Sequence, residues 1–425
     1  TYTTGEDAGL AGGEDDSAPD DTDGGEAQDG EADTAVSAVQ EAHHANHCVC
    51  GGNGDVNGHE HDTAVTWTTA DSLPDSAGNY YLTQSVSGDW TVPTGEVNLC
   101  LNGQTINGKI TIGSGAKLTL TDCTGTGKLQ GSRSGSGVSI NGGTFNLYGG
   151  TITGFVNGVE IGSHNDIKTG SSFTMYGGAI TSNEAGSSAG GGVFLIGTTN
   201  SNVTAPSFTM HGGTISNNTA GASDGGGGGV YVGQKCSFTM DGGTITGNKA
   251  TTGDTATQRG GGVYVDGTGS TFTMNGGTIT DNTATKGGGG VYVSGGTFTM
   301  NGWASSVSKN TAKNGGGVSV SSGKFNMNDG KISGNTGDGV FVHNDATFTV
   351  SRTPTVTGNT NTTNSAASNV YLMGSAYITI GNQGLNGSDG SIGVTKLPNS
   401  SPAEIVIANG VNEDYSGKFS SDDET

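Results

Sequence analysis

One repeat unit of the sequence decides the fold, and its clearest copy is Phe272-Thr-Met-Asn-Gly-Gly-Thr-Ile-Thr-Asp-Asn282 followed by Gly288-Gly-Gly-Val-Tyr-Val293. The unit contains three short segments in which apolar side chains occupy every second position. This period of two predicts β-strands that have one buried face and one exposed face. A nearly identical copy begins at Phe238. Because a unit of this size cannot bury its own apolar face, we predict that successive units stack as a solenoid.

The repeat keeps its apolar positions fixed, whereas the spacers between them vary in length. The first strand of each copy carries a phenylalanine, and these residues are Phe145, Phe173, Phe208, Phe238, Phe272, Phe298, Phe325 and Phe348. Fixed core positions with variable corners are typical of a coil of parallel strands whose loops absorb insertions. We therefore predict an all-β fold, a single parallel β-helix with three short strands per rung and about ten rungs, spaced by about 4.8 Å.

An asparagine follows three residues after the central Ile or Val in seven of the eight copies. The positions are Asn183, Asn218, Asn248, Asn282, Asn310, Asn335 and Asn359. Asparagine tolerates left-handed bends, and its amide can form hydrogen bonds from one rung to the next. We interpret this column as structural rather than functional.

The charge of the chain restricts its partners. The net charge is −23, with 16 Lys and Arg against 39 Asp and Glu. Such a surface repels phosphate backbones and anionic lipid head groups, so we expect no nucleic-acid partner and no binding to an anionic membrane. No apolar run is long enough to cross a bilayer, and we therefore expect no membrane insertion.

Composition divides the chain into four parts. Residues 1–42 contain many Asp and Glu but no Lys or Arg, which predicts a disordered acidic tail. We expect a Cys/His-rich N-terminal cap segment over 43–78, the β-helix over 79–412 and a C-terminal tail over 413–425. The chain opens at Thr1 without a signal peptide. Because its composition is typical of extracellular proteins, we expect a processed piece of a secreted or cell-surface protein.

The predicted cap segment is the candidate metal site. Its imidazoles and thiols are of the types that bind Zn²⁺, and the candidate ligands are His47, Cys48, Cys50, His59 and His61. The alternative interpretation is a disulfide-tied or disordered cap, because Cys-x-Cys is not the usual spacing of a zinc knuckle. Two further cysteines, Cys100 and Cys123, are about one turn of the coil apart and form either a disulfide or a buried free pair.

The middle residue of the Val-x-Val strand is the candidate ligand-binding position. Along the repeats, this predicted outward position is aromatic in all copies but one, and the candidates are Phe194, Tyr231, Tyr264, Tyr292, Phe341 and Tyr371. Flat rings at rung spacing can form a platform on which sugar rings stack. The alternative is that the rings only stabilise the sheet or lie under loops.

Two other functions use the same fold. A polysaccharide-degrading lyase or hydrolase needs clustered carboxylates, but repeat acids such as Asp241, Asp281 and Asp329 do not share a position. An ice-binding solenoid would use the Thr-x-Thr segments, which recur as Thr244-Ile-Thr246 and Thr278-Ile-Thr280 with interruptions elsewhere. We expect no catalytic residues and no enzyme activity.

The repeat resembles that of the polymorphic outer-membrane proteins, whose signature is Phe-x-x-Asn together with Gly-Gly-Ala/Val-Ile/Tyr. The segments that carry the resemblance are Phe272-Thr-Met-Asn275, Phe298-Thr-Met-Asn301, Phe325-Asn-Met-Asn328, Gly177-Gly-Ala-Ile180 and Gly289-Gly-Val-Tyr292. The chain is also similar over residues 47–420 to large exported β-helix repeat proteins of gut bacteria. The resemblance implies a right-handed parallel β-helix, an adhesin-like surface role and no common active site. Trp303 departs from the pattern, because a second glycine is expected there.

Together these observations predict a non-enzymatic, secreted or cell-surface binding protein. Its Thr/Tyr-rich face would bind glycans or a host or bacterial surface protein. We expect it to act as a monomer or as part of a larger surface protein.

Overall fold

The computed structural model describes Val49 and residues 65–162, 170–186, 189–198, 203–221, 226–250, 259–388, 391–395, 405–407 and 414–422. Its strands form a parallel β-helix. Three ladders of parallel strands run along the coil, and we name them the Phe ladder, the Thr ladder and the Val ladder after their commonest residues. The chain visits them in that order in each turn.

The ladders are built from the following strands. The Phe ladder contains Thr68–Ala70, Gly78–Leu82, Gly95–Cys100, Ala116–Thr121, Thr144–Leu147, Ser172–Met175, Ser207–Met210, Ser237–Met240, Thr271–Met274, Val291–Met300, Val318–Met327, Ala346–Arg352, Ile378–Leu385 and Ile405–Ile407. The Thr ladder contains Val86–Ser87, Thr105–Asn107, Lys128–Gln130, Thr151–Thr153, Ala179–Thr181, Thr214–Ser216, Thr244–Thr246, Thr278–Thr280, Ser306–Ser308, Lys331–Ser333 and Thr355–Thr357. The Val ladder contains Trp90–Thr91, Ile110–Gly113, Ser136–Asn141, Asn157–Ile161, Val193–Leu195, Val230–Val232, Val263–Asp266, the first halves of Val291–Met300 and Val318–Met327, Val340–Val342, Val370–Leu372, Ile392–Thr395 and Phe419–Ser421.

Two smaller elements complete the fold. A short corner ladder lies between the Thr and Val ladders and contains Glu184–Ala185, Thr219–Ala220, Lys249–Ala250 and Thr283–Ala284. A 3₁₀ helix spans Ser416–Lys418. Among the described residues, the structure contains no helix that is long and apolar enough to cross a membrane.

The core is a column of identical side chains stacked from rung to rung. The eight phenylalanines of the repeat are fully or almost fully buried. From Phe173 to Phe325, successive ring centroids lie 4.7 to 4.8 Å apart with nearly parallel planes. This distance matches the separation of hydrogen-bonded strands, so each ring packs directly on the next. The predicted fold class, a parallel β-helix with a narrow apolar core, is confirmed. The prediction of about ten rungs was too low, since the Phe ladder contains 14 strands among the described residues.

The asparagine column forms a continuous hydrogen-bonded ladder beside the core. At a typical step, the backbone N–H and Nδ2 of Asn248 both donate to Asn282 Oδ1, at 3.0 and 2.9 Å. The same geometry recurs at each step from Asn183 to Asn359, and all seven side chains are buried. Every amide therefore points the same way along the coil.

The amide ladder ends on charged and backbone groups. At its first rung, Asn183 Oδ1 accepts a hydrogen bond from the Phe155 backbone N–H at 3.1 Å. At the other end, Asn369 donates through its backbone N–H and Nδ2 to the Asp422 carboxylate, at 2.7 and 2.6 Å. Asp422 therefore takes the position that the next asparagine would occupy.

The paired strands extend beyond the predicted limits of 79 and 412. Thr68–Ala70 pairs with the strand that ends at Leu82, and Phe419–Ser421 pairs with Ile392–Thr395. Each of these terminal strands carries a single inward apolar residue, which is too few to show a period of two in the sequence. Part of the predicted cap segment and part of the predicted C-terminal tail are therefore β-helix.

Trp303 stands out from the coil because its side chain is 86% exposed. The strands on either side of it keep their register, since Ile279 still pairs with Val307. The departure from the repeat pattern therefore affects only the corner and leaves the ladders intact.

Cys100 and Cys123 lie on neighbouring turns with their Sγ atoms 3.4 Å apart, and no disulfide joins the two. The Cys100 thiol donates to Cys123 Sγ and is buried, and both effects raise its pKa far above the ordinary value. Cys100 packs with Trp67 and Tyr81 in a small apolar cluster at the N-terminal end of the coil. The two thiols are thus close, as the spacing predicted.

Candidate functional site

The predicted aromatic residues do lie in one column, on the Val ladder. Phe194 pairs with Tyr231, and Tyr231 pairs with Tyr264. The column continues through Tyr292, then Ser319, and on to Phe341 and Tyr371.

The column is not an exposed flat platform. Tyr264, Tyr292 and Phe341 are buried, with 6%, 3% and 7% of their surface accessible. Adjacent tyrosine rings from Tyr231 to Tyr292 meet edge to face at 83°, so their flat faces are not aligned for a ligand. The expectation of an open stacking surface is therefore wrong for these three residues, whereas Phe194, Tyr231 and Tyr371 are half-buried.

Glycine is the physical reason for this burial. The glycine run that precedes each Val-x-Val strand folds back over it with a positive φ, for example +63° at Gly288. A Cβ atom at Gly288 would lie 2.7 Å from Tyr292 Cβ, so only glycine permits the approach. The backbone of the run therefore covers the tyrosines.

Hydrogen bonds and burial hold the tyrosine hydroxyls in their neutral form. Tyr231 donates its hydroxyl to Asp266 Oδ2 at 2.6 Å. Burial, followed by this bond, raises the pKa of Tyr231 far above its usual range. Burial is also the main reason that the pKa of Tyr264 rises to about 12. These phenols are therefore structural groups and not acids or bases near neutral pH.

The Thr ladder, by contrast, presents side chains that remain accessible. The position after each buried central residue forms an outer row along the coil: Asn107, Gln130, Thr153, Thr181, Ser216, Thr246, Thr280, Ser308, Ser333 and Thr357. From Thr153 onward, every residue of the outer row is a Thr or Ser and carries a hydroxyl group. The parallel row on the other side of the central residue is interrupted by Ala179 and Lys331.

A polar cleft of about 390 Å³ lies at the N-terminal end of this outer row. It is lined by two amides, two hydroxyls, an ion pair, one aromatic residue and two glycines: Asn107, Gln130, Ser132, Ser134, Asp89, Lys109, Phe155, Gly108 and Gly131. We name this the terminal cleft. Its volume falls in the ordinary range of small-ligand sites.

The terminal cleft exists because the corner changes between Phe155 and Asn183. From Asn183 onward, the amide ladder and the corner ladder fill the turn between the Thr and Val ladders. On the preceding turn, Phe155 occupies this corner, and its ring lies so close to Gly131 that a Cβ there would be 2.3 Å away. Because Gly131 has no side chain, the Phe155 ring fits against its backbone. The polar side chains nearby then line an open space, which is the terminal cleft.

Lys109 and Asp89 fix one wall of the terminal cleft. The Lys109 backbone N–H donates to Asp89 Oδ1 at 3.0 Å, and Lys109 Nζ lies 3.3 Å from Asp89 Oδ2. The backbone hydrogen bond is the main reason that the pKa of Asp89 is lowered. Asp89 therefore remains ionised near neutral pH and can accept hydrogen bonds but cannot donate one.

The candidate zinc ligands, His47, Cys48, Cys50, His59 and His61, lie outside the described residues, and so does the predicted acidic tail over 1–42. Within the described part of the chain, no three His, Cys, Asp or Glu side chains come together as a metal site would require. The prediction of zinc binding therefore stays a prediction for the N-terminal segment.

A scan of the chain against protein-family models, a search of curated proteins and a search of solved structures each found no match.

Proposed function

We propose that this chain is a non-enzymatic, secreted or cell-surface protein that binds glycans, with one sugar unit held in the terminal cleft. The outer hydroxyl row of the Thr ladder begins at the cleft, because Asn107 and Gln130 are its first two members. The neighbouring sugar units of a bound chain would lie along this row.

The lining of the terminal cleft is the observation that carries the proposal. A sugar offers several hydroxyls that both donate and accept hydrogen bonds. The amides of Asn107 and Gln130 do the same, and Ser132 and Ser134 add two hydroxyls. The ionised Asp89 accepts and Lys109 donates, and charged partners form stronger hydrogen bonds than neutral ones.

The same lining favours binding over hydrolysis. A glycosidase needs two carboxyl groups, one of them protonated when it acts as the acid. Among the described residues that line the cleft, Asp89 is the one carboxylate, and its lowered pKa keeps it ionised. Hydrogen bonding to a saccharide is the chemistry that remains.

A glycan array with the full chain, followed by calorimetric titration of the neutral oligosaccharides that bind, tests this proposal. Asn107→Ala and Gln130→Ala should each weaken binding by about fivefold to tenfold, since each removes one or two hydrogen bonds. Asn275→Ala is the matched control, because Asn275 is an exposed amide on a corner outside the cleft. Equal affinity of all three variants, or no neutral glycan bound, would refute the proposal.

Ice binding is a second candidate, and the unbroken outer row favours it. The hydroxyls from Thr153 to Thr357 repeat at the spacing of the rungs and face outward together. Thermal hysteresis measured on the parent chain and on Thr246→Tyr tests this function directly. Ice binding is supported if the parent chain shows thermal hysteresis and the bulky side chain of Thr246→Tyr abolishes it. Absence of thermal hysteresis in the parent chain would exclude ice binding.

A further inference from the structure

Cys100 and Cys123 lie at the two ends of one complete turn of the coil. Cys100 ends a strand of the Phe ladder, and Cys123 comes two residues after the next strand of that ladder. Between them the chain passes through the Thr ladder at Thr105–Asn107 and the Val ladder at Ile110–Gly113. A bond between the two sulfur atoms would therefore close this turn into a covalent ring. We name this segment the cysteine turn.

Hydrogen bonds between the flanking residues hold the two cysteines close together. Asp122 Oδ1 accepts a hydrogen bond from the Gly103 backbone N–H at 2.8 Å. The Leu101 backbone N–H donates to Thr121 O, also at 2.8 Å. The residues next to both cysteines are thus bonded to each other across the turn, and the Sγ atoms lie 3.4 Å apart. A disulfide bond of about 2.0 Å needs the two sulfur atoms to approach by only about 1.4 Å.

The two thiols differ in their access to solvent. Cys100 is fully buried, in the small apolar cluster that contains Trp67 and Tyr81. Cys123 is half-buried and borders an exposed corner at residues 124–126. A soluble oxidant can therefore reach Cys123 first, whereas Cys100 is within reach of Cys123 alone.

We propose that the cysteine turn is a redox modification site, which a low-molecular-weight disulfide such as oxidised glutathione closes through a disulfide between Cys100 and Cys123. The Cys123 thiolate attacks one sulfur of the oxidant and forms a mixed disulfide, while the S–S bond of the oxidant breaks and the first small thiol leaves with the Cys123 proton. The Cys100 thiolate then attacks Cys123 Sγ, and the second small thiol leaves with the Cys100 proton. Two protein thiols are oxidised, and one external disulfide is reduced to two thiols.

Closure of the cysteine turn should stabilise the N-terminal part of the coil. A disulfide restricts the unfolded conformations of the loop that it closes. The loop between the two cysteines carries Asn107 and Lys109, which line the terminal cleft. Oxidation should therefore reduce local opening of the turn that holds one wall of the cleft. The disulfide itself does not depend on the proposed glycan binding.

Thiol mapping of the full chain tests the proposal. The protein is equilibrated with mixtures of reduced and oxidised glutathione, the remaining thiols are alkylated in denaturant, and the disulfides are identified by peptide mass spectrometry. We expect a disulfide between the Cys100 and Cys123 peptides in the oxidising mixtures, and its loss on reduction. Hydrogen exchange in peptides of the cysteine turn should be slower by about tenfold or more in the oxidised chain than in the reduced chain, and exchange around Asn282 should be the same in both.

Two serine variants test the order of the steps. In Cys100→Ser, the reaction should stop at the mixed disulfide between glutathione and Cys123. In Cys123→Ser, Cys100 should remain a thiol, because the fold shields it from the oxidant. Cys236→Ser is the matched control, since Cys236 is a buried cysteine on a later turn, and it should leave the disulfide between Cys100 and Cys123 unchanged. Circular dichroism checks that each variant folds as the parent does.

The inference is wrong if Cys100 and Cys123 stay reduced in the most oxidising mixture, or if either is bonded to Cys48 or Cys50 instead. Glutathione bound to Cys100 in the Cys123→Ser variant would overturn the proposed order of steps. These outcomes are read from the parent chain and its cysteine variants, whereas the proposed function is read from the Asn107→Ala titration. Failure of one proposal is therefore distinguishable from failure of the other.

Discussion

Asn282→Ala removes one step of the buried amide ladder, and the structure allows its cost to be worked out. Asn282 Oδ1 accepts from the Asn248 backbone N–H and Nδ2, while Asn282 Nδ2 donates to Ile245 O, Thr280 O and Asn310 Oδ1 at 2.9 to 3.0 Å. Alanine leaves the buried Asn248 N–H without an acceptor and removes the other bonds. The unpaired Asn248 N–H should cost about 1–3 kcal/mol, and each of the other lost hydrogen bonds about 1 kcal/mol. Because neighbouring groups compensate for part of this cost, we expect the free energy of unfolding to fall by about 3–5 kcal/mol.

The assay must report local as well as global stability, because each rung contacts only its neighbours. We expect a lower urea midpoint by circular dichroism. Hydrogen exchange followed by mass spectrometry should show faster exchange in peptides that cover Asn248, Asn282 and Asn310. Asn275→Ala is the matched control on the same turn, because its amide is exposed and bonds to the side chains of Asp241 and Asn301. It should change stability by no more than about 0.5 kcal/mol. Equal midpoints for the two variants would refute the account of the ladder.

The remaining predictions concern the core, the C-terminal end and the buried phenols. Phe272→Ala removes one ring of the stacked column and should cost about 3–5 kcal/mol by urea denaturation, whereas outward Thr273→Ala should cost less than about 0.5 kcal/mol. Asp422→Ala removes the acceptor of two bonds from Asn369 and should destabilise the last rungs by about 2–3 kcal/mol, seen as faster exchange around Asn369 but not around Asn218. Tyr264 favours its neutral form in the fold, since its pKa rises from 10.0 to about 12. Its contribution to stability is therefore complete below pH 10 and is lost as the pH rises to 12, and urea midpoints across this range should fall less in Tyr264→Phe than in the parent.

The core and the amide ladder could be predicted from the sequence because each is a fixed position in every repeat. The spacing of Phe238 and Phe272 gives the register, and the asparagine three residues after Ile245 gives the ladder. The direction of the amides and the terminal role of Asp422 could not be predicted, since that carboxylate is far from the repeat and has no recurring neighbour.

The binding surfaces were harder to predict, for a different reason. Alternation places Tyr264 and Tyr292 on the outer side of their strand, but it does not show that the glycines at 260 and 288 fold back over them. The terminal cleft joins Asp89, Asn107, Gln130 and Phe155 from successive turns, and no local motif marks them.

Cross-linking between neighbouring rungs tests most directly whether the chain is a coil of parallel strands in this register. Thr239 and Thr273 are direct partners on the outer side of the Phe ladder. Neighbouring strands are about 4.8 Å apart, which is within the Cα separation that a disulfide can span. The double variant Thr239→Cys/Thr273→Cys should therefore form that disulfide under mild oxidation, identified by peptide mass spectrometry, whereas Thr239→Cys/Thr280→Cys, with its cysteines on different ladders, should not. A cross-link in the second variant, or none in the first, would contradict the fold.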